Sequence, residues 1–379
     1  MSAPKGERPT VIFVPKGRSK VLTNERSPQM RELVSGRFQV IGVPVSPRSD
    51  KVYDQSINRM ARYVLFLYDE WYMFQGALRA MRRTPGKMVA WGEGSYCTLA
   101  GAMAAKLRGV PAVWDNHGNI IRFATMQGKS RFFKGASLMF ERALQRMCDR
   151  VVVVSSQDRE DYLAMGFPED KLMVIPTCSD LRQIELRTQD RQQARRSLGI
   201  KDEEVVVLFV GRLNYEPNAQ AARYIAEELC PRLRAEFPQL RFVVVGSGQQ
   251  PAPAPEGMSY TGFVEDVFVW LAAADVSVAP LWKGLGILTK VVEALSAGLP
   301  TVVTELALPG IPELQDGGNC LVASGKEEFS EQVRRVVRDK GLRARLSANG
   351  RELIRAKYSC EVVGAQVEEL LVRVGGQGP

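Results

Sequence analysis

The sequence has a single histidine, His117, among 379 residues, which excludes any metal site built from several histidines. Its six cysteines lie far apart without a Cys-x-x-Cys pair, which argues against a structural zinc site and a disulfide framework. No run of about 18 apolar residues occurs, so a membrane-spanning helix is not expected. The polar start MSAPKGERPT predicts no secretory signal. Together these absences favour a cytoplasmic protein.

The positive charge of the chain is unevenly distributed around a formal net charge of +9. Residues 1–150 contain 25 Lys/Arg and 11 Asp/Glu, which gives +14, and residues 151–379 contain 26 and 31, which gives −5. A basic domain attracts anionic membrane surfaces, acidic substrates or nucleic acid, but scattered charges are equally typical of a solvated surface. The sequence contains no module of aromatic and basic residues that would indicate nucleic-acid binding. A peripheral position on the cytoplasmic membrane face stays open.

Short β-rich runs alternate with helical patterns, and several of them are continuously apolar. Strands buried on both faces and alternating with helices indicate parallel sheets. The runs form two series, so we predict an α/β protein with two doubly wound, Rossmann-like domains facing a central cleft. The predicted strands are 10–14, 38–45, 87–91, 111–115, 150–156 and 172–176, then 204–211, 240–246, 258–263, 275–280, 300–305 and 319–323.

A polar, charged stretch near residues 180–203 contains few large apolar residues and separates the two series. We therefore predict one domain over 1–183 and a second over 184–360. The last segment, 361–374, has the pattern of an amphipathic helix that could pack on either domain.

The segment GLGILTKVVEALSAGLP, residues 284–300, predicts a glycine-rich loop, a helix and a stop at Gly298 and Pro300. Leu288, Val291, Val292 and Leu295 follow helical core spacing, whereas Lys290 and Glu293 share a different, exposed side. A helix N-terminus freed of side chains suits an anion such as a diphosphate, and a carboxylate one turn later suits a ribose diol. The alternative is a tight turn with a surface ion pair.

Two further strand ends lie in the same half of the chain. Arg212 follows Gly211 at the end of a buried strand, where α/β sheets bind ligands, and its guanidinium would suit phosphate oxygens. Gly262, Phe263 and Val264 follow another strand and could present backbone groups to a base edge. The alternatives are an interdomain salt bridge and a plain strand–helix turn.

These segments, in this order and spacing, resemble the nucleotide-sugar domain of the family 4 retaining glycosyltransferases. The resemblance covers about 95 residues from GRLNYEPN to AGLPTVVT and extends more weakly into 155–180, 313–322 and 329–339. It implies the two-domain GT-B fold, with the acceptor bound by the N-terminal domain and the nucleotide sugar by the C-terminal domain. It also implies that the final helix, 361–379, crosses back to the N-terminal domain.

The resemblance implies specific donor contacts, with Arg212 and Lys290 on the diphosphate and Glu293 on the ribose. The full donor-binding set is Arg212, Phe263, Val264, Gly286, Ile287, Lys290 and Glu293. Two positions depart from the family pattern: Leu285 replaces a frequent acidic residue, and Asn218 stands where many members carry a second phosphate-binding lysine.

The N-terminal half offers a second group of candidates. His117 ends a buried strand, and the resemblance implies that it positions hydroxyls of the donor sugar, although a structural histidine is the alternative. With Arg212 and Lys290 it completes the predicted catalytic set. Candidates for acceptor binding or sugar positioning are Lys16, Gly17, Glu93, Asp115 and Asn116.

The expected reaction is transfer of a sugar from a nucleoside diphosphate sugar to a glycan or lipid-linked acceptor, with retained anomeric configuration. No cofactor and no metal are expected, because the cationic side chains and the helix N-terminus would stabilise the leaving phosphate. Alternatives are a nucleotide-sugar epimerase of the same fold and an inactive relic that binds an anionic surface. A nicotinamide dehydrogenase is disfavoured, because VVVGSGQQP lacks the third glycine of the dinucleotide fingerprint.

Overall fold

The computed structural model describes residues 8–15, 26–46, 58–126, 128–188, 190–284 and 286–376. The predicted candidates Lys16 and Gly17 and the departure at Leu285 therefore lie outside the described residues. The chain divides into two compact units, residues 1–178 with 363–379 and residues 179–362. The sequence had placed this division at 183/184 and the return of the chain at 361.

The first unit is a parallel six-stranded sheet with strand order β2-β1-β3-β4-β5-β6. Its elements are β1 (Thr10–Val14), α1 (Arg26–Ser35), β2 (Val40–Gly42), α2 (Arg59–Arg83), β3 (Met88–Glu93), α3 (Ser95–Arg108), β4 (Ala112–Asp115), α4 (Ile120–Met126), α5 (Arg131–Met147), β5 (Arg150–Val153), α6 (Ser156–Ala164) and β6 (Leu172–Val174). A short 3-10 turn, Glu169–Lys171, precedes β6. Trp114 and Tyr162 lie fully buried in its core.

The second unit is also a parallel six-stranded sheet, with strand order β12-β11-β10-β7-β8-β9. Its elements are α7 (Leu181–Thr188), α8 (Arg191–Ser197), β7 (Val205–Val210), α9 (Glu216–Tyr224), a π-turn (Ile225–Leu229), α10 (Cys230–Arg234), β8 (Leu240–Val245), β9 (Met258–Gly262), α11 (Val267–Ala273), β10 (Val276–Ala279), α12 (Thr289–Ser296), β11 (Thr301–Thr304), β12 (Leu321–Ala323), α13 (Lys326–Arg338) and α14 (Lys340–Lys357). A 3-10 turn, Glu305–Ala307, follows β11. Every predicted strand is present, which confirms the fold class.

The last helix, α15 (Cys360–Gly375), lies mostly within the first unit. The Glu368 carboxylate accepts from the guanidinium groups of Arg8 at 2.6 Å and Arg37 at 2.8 Å. Val367 and Leu371 are completely buried. An apolar stripe and a paired carboxylate therefore fix the chain end to the N-terminal unit.

Four cysteines, Cys97, Cys148, Cys230 and Cys320, are buried free thiols. Cys178 and Cys360, however, are disulfide-bonded, which their wide spacing did not predict. Within the part of the chain that the structure describes, no helix is both long and apolar enough to cross a membrane.

The ends of β7 and β8 approach each other closely because Gly246 has no side chain. A Cβ added at Gly246 would lie 2.1 Å from the carbonyl oxygen of Gly211. The amide of Gly211 in turn donates to the carbonyl of Val245 at 2.9 Å. The two strand ends can therefore keep their pairing only with glycine at position 246.

Gly246→Ala should lower the free energy of unfolding by about 1–3 kcal/mol, because the added methyl group forces the two strand ends apart. The control is Gly135→Ala in α5, where an added Cβ meets no atom within 4 Å. That change should raise stability by about 0.5–1 kcal/mol, since alanine is the better helix former. Urea denaturation measures both, and an unchanged midpoint for Gly246→Ala would contradict the close approach.

Candidate functional site

In the second unit, the residues that follow three neighbouring strands meet at the carboxyl edge of the sheet. The amide of Gly246 donates to the carbonyl of Gly262 at 3.1 Å, and Gly246 also lies against Gly211. Arg212 and Phe263 come directly after these glycines. The parallel sheet thus places the two predicted segments around Arg212 and Phe263 at one edge.

Lys290, in the first turn of α12, reaches back to this edge. Its Nζ donates to Oδ1 of Asn218 at 2.5 Å and lies 4.5 Å from the centre of the Phe209 ring. The Nδ2 of Asn218 donates to the carbonyl of Arg212 at 2.9 Å. A Cβ added at Gly211 would come within 2.8 Å of the Lys290 Nζ. The structure therefore connects Lys290, Asn218 and the Arg212 backbone in one hydrogen-bonded group.

Lys290 and Glu293 are less exposed than the sequence predicted. Both side chains are half-buried, whereas Val291, Val292 and Leu295 are buried in the core as predicted. Burial lowers the pKa of the Lys290 ammonium to about 7, and the negative charge of Glu293 opposes this shift. The ammonium lies against an aromatic ring and backbone, which desolvate it.

The loop before α12 also depends on a close backbone approach. Gly286 has a φ of +65°, a left-handed conformation that favours glycine. A Cβ added at Gly310 would lie 2.5 Å from the Gly286 carbonyl oxygen and 3.1 Å from the Ile287 Cα. The helix itself begins only at Thr289 and ends before Gly298, which has a φ of +73° as its predicted stop requires.

The other predicted donor contacts are more open. The Arg212 side chain is exposed, and Phe263 is 75 % exposed. Val264 is half-buried and packs against the apolar cluster beside β8 and α11. The structure thus brings Lys290 and the Arg212 backbone into one hydrogen-bonded group and leaves the Arg212 and Phe263 side chains accessible.

In the first unit, Glu93 and Asp115 end adjacent strands and are paired in register. Both are completely buried, and Nε2 of His117 lies 3.3 Å from Oδ2 of Asp115. One ligand-type atom from each of these three residues lies within 4.8 Å of the others. The carboxylates of such a group can accept hydrogen bonds from hydroxyl groups. Two carboxylate oxygens and one imidazole nitrogen are also ligands that divalent cations accept.

A buried network supports the loop that carries His117. The Nδ2 of Asn116 donates to the Tyr162 hydroxyl at 2.5 Å, and this hydroxyl donates to Oε2 of Glu141 at 3.1 Å. The Ser95 hydroxyl donates to the other oxygen of Glu141 at 2.9 Å. Burial raises the pKa of Glu141 to about 7, against the lowering effect of these hydrogen bonds.

Sequence reasoning missed Tyr162, Glu141 and Phe209 as neighbours of the candidate groups. Each lies on an element distant in sequence from the residue that it contacts, so no local pattern identifies it. Asn218 was noted only as a departure, and its role as the acceptor for Lys290 emerges from the fold.

Two family models match the chain. The model described as a glycosyl transferase 4-like domain matches residues 17–178, and the model described as glycosyl transferases group 1 matches residues 204–339. The chain belongs to the group 1 glycosyltransferases.

Two curated relatives of this group 1 glycosyltransferase match over part of their length. An uncharacterized glycosyltransferase from Methanocaldococcus jannaschii is 27 % identical over 57 % of the chain and 58 % of that protein. A GDP-mannose-dependent monoacylated alpha-(1-6)-phosphatidylinositol monomannoside mannosyltransferase from Corynebacterium glutamicum is 26 % identical over 52 % of the chain and 55 % of that protein. The chain thus spans about half the length of the curated relatives it matches.

A solved structure extends the likeness of this group 1 glycosyltransferase to its fold. HepE from Anabaena, determined in complex with UDP, gives a TM-score of 0.71 at 14 % identity, covering 96 % of this chain and all of that chain. The two parallel sheets with flanking helices are those of the GT-B fold.

The buried carboxyl of Glu141 predicts a pH-dependent stability. Its pKa is near 7 in the folded state and 4.5 in the unfolded state, so the folded state binds more protons between these values. Stability should therefore fall by on the order of 2–3 kcal/mol as pH rises from about 4.5 to 7. Glu141→Gln should remove the share of this slope that Glu141 contributes in urea denaturation from pH 5 to 8, and leave the share that the raised pKa of Glu70 contributes.

The matched control is Glu160→Gln, an exposed change in the same unit. It should leave the pH profile of the free energy of unfolding unchanged. An identical slope for the wild type and Glu141→Gln would show that Glu141 does not stay neutral in the folded protein.

Proposed function

We propose that this protein is a retaining glycosyltransferase that moves a sugar from a nucleoside diphosphate sugar to an acceptor hydroxyl. One observation carries the proposal. The half-buried Lys290 ammonium has a neutral amide oxygen, Oδ1 of Asn218, as its hydrogen-bond acceptor. An amide satisfies a proton but leaves the positive charge for an incoming anion, which a paired carboxylate would not do.

The diphosphate is the anion that this edge suits best. Lys290 lies in the first turn of α12, where the helix dipole and the free amide groups also favour negative charge. Arg212 lies just after strand β7, and its exposed guanidinium can donate two parallel hydrogen bonds to phosphate oxygens. The amides of Gly286 and Ile287, which precede the helix, would approach the distal phosphate or the sugar.

The nucleoside would occupy the positions beside this anion site. Glu293 lies one turn after Lys290, and its carboxylate can accept both hydroxyls of a ribose. The backbone of Phe263 and Val264, at the end of β9, would contact the base edge. UDP in the Anabaena HepE complex and GDP-mannose in the name of the Corynebacterium relative support a nucleoside diphosphate donor.

In the transfer itself, the acceptor oxygen forms a bond to the anomeric carbon while the bond from that carbon to the diphosphate breaks. The departing phosphate oxygen takes the acceptor proton on the same face, so the configuration is retained without a nucleophilic carboxylate. Lys290, Arg212 and the α12 N-terminus would stabilise the charge that grows on the diphosphate. With these cationic groups on the diphosphate, a bound metal would not be needed.

His117 would position hydroxyls of the transferred sugar, with Asp115 holding its ring. Glu93 and Asn116 belong to the same strand ends and complete the proposed sugar-binding group. The acceptor is a glycan or a lipid-linked molecule, and the phosphatidylinositol mannoside in the name of the Corynebacterium relative supports the lipid-linked class.

Lys290→Ala and Glu293→Ala should each reduce nucleotide-sugar binding at least tenfold, a loss of about 1.4 kcal/mol or more in binding free energy. A thermal-shift panel of nucleoside diphosphate sugars first identifies the donor that stabilises the wild type. Lys283→Ala, an exposed change in the loop before α12, is the control and should bind normally. Wild-type affinity in both site variants would refute the assignment.

Donor binding should take up a proton at alkaline pH. The pKa of Lys290 is about 7 in the free protein, so the amine is largely neutral at pH 8.5, and a bound diphosphate restores its charge. Calorimetry in buffers of different ionisation enthalpy should detect uptake approaching about one proton per site. Lys290→Arg should bind without uptake, because guanidinium stays protonated. Equal proton uptake by both proteins would place the titrating group elsewhere.

The outcome of turnover separates this proposal from an epimerase. A transferase releases the nucleoside diphosphate rapidly only with acceptor present and gives a product with the donor's anomeric configuration, as seen by proton NMR. Acceptor-independent conversion of the sugar nucleotide would replace the transferase by an epimerase.

A further inference from the structure

One face of α2 carries large apolar side chains that are exposed to solvent. They follow the spacing i, i+3, i+4, i+7, i+8, i+11, which places them on a single helix face. We call this the α2 outer face, and its members, 40–73 % exposed, are Met60, Tyr63, Val64, Leu67, Tyr68 and Trp71. Contiguous exposed apolar surface of this kind marks an interaction site more often than scattered single residues do.

The N-terminal half of α2 reverses the usual distribution of side chains, because its carboxylates lie towards the protein and its apolar side chains lie towards solvent. Asp69 is only 7 % exposed, and Glu70 is half-buried with its pKa raised to about 8 by desolvation. The helix packs on α3, so these acids lie towards the protein while Leu67 and Trp71 lie towards solvent. An ordinary surface helix has the opposite arrangement. This reversed arrangement is energetically favourable only if an apolar partner covers the α2 outer face.

The charges that α2 leaves accessible are positive. Arg79, Arg82 and Arg83 are exposed and Arg62 is half-buried, while the acids of the helix are turned inward. The first 150 residues as a whole carry +14. An apolar face within a strongly basic region is complementary to a surface that is both apolar and anionic.

The side chains of the outer face favour a bilayer over a second copy of the chain. Tyr63, Tyr68 and Trp71 have amphipathic rings of the kind that concentrate at the membrane–water interface. Symmetric pairing of two α2 outer faces would instead bring two strongly positive surfaces together. We propose that the α2 outer face inserts into the headgroup region of an anionic bilayer, with the helix lying in the plane of the interface. This docking does not rest on the proposed sugar transfer.

The test is co-sedimentation with vesicles in the absence of any nucleotide sugar, so its outcome is independent of catalysis. Phosphatidylcholine vesicles are compared with vesicles that contain about 30 mol% phosphatidylglycerol. Wild-type protein should bind the anionic vesicles about tenfold or more tightly than the neutral ones. Equal binding to both, or binding to neither, would overturn the proposal.

Matched variants locate the contact. Leu67→Ser on the outer face should weaken binding to anionic vesicles about tenfold, because an apolar side chain no longer enters the interface. Leu186→Ser on α7 is the control, since Leu186 is 67 % exposed where Leu67 is 66 % exposed, and it should stay within about twofold of wild type. Equal losses in the two variants would refute docking through α2.

Tryptophan emission gives a second measurement that does not depend on a destabilising change. Trp71 is exposed, whereas Trp91 and Trp114 are completely buried. Anionic vesicles should shift the emission to shorter wavelength in the wild type but not in Trp71→Phe. A vesicle-induced shift that persists in Trp71→Phe would contradict the proposal. Ultracentrifugation showing a dimer that Leu67→Ser dissociates, without vesicle binding, would assign the face to a second copy instead.

Discussion

The position of the Lys290 ammonium depends on a missing side chain. Any Cβ at Gly211 would come within 2.8 Å of the Lys290 Nζ and of the Asn218 amide group. Glycine at this position leaves room for α12 to extend its lysine across the end of β7 and above the Phe209 ring. A second glycine, Gly246, lies against the Gly211 carbonyl, where an added Cβ would come within 2.1 Å, so the strand pairing and the cation site each depend on a glycine at neighbouring strand ends.

The central strands are the part of the fold that the sequence predicts best. Runs such as VVVLFV at 205–210 are buried on both sides of a parallel sheet, and their continuous apolar character reveals this directly. Strand ends were less certain. The run 38–45 forms only Val40–Gly42, because β2 pairs with β1 alone among the described strands, and the register ends at Gly42.

The candidate site was predictable where residues follow strand ends or helix starts. Arg212, Lys290 and His117 were found in this way, because parallel strands send their carboxyl ends to one edge. The partners that set their environments were not. Asn218 lies on a helix remote in sequence from Lys290, and Tyr162 lies on a helix remote from Asn116, the residue before His117. Only tertiary packing brings each pair into hydrogen-bond distance.

Ionisable groups in both units are buried in forms that cost stability. Burial lowers the pKa of Lys290 and raises the pKa of Glu141 and Glu70, so each side chain is shifted towards its neutral form near pH 7. A fold selected only for stability would expose or pair such groups. Large apolar cores around Phe242 and Trp114 tolerate the cost. A neutral Lys290 can then regain its charge when an anion binds. The favourable interaction between this charge and the anion offsets the stability that burial of the amine costs the free protein.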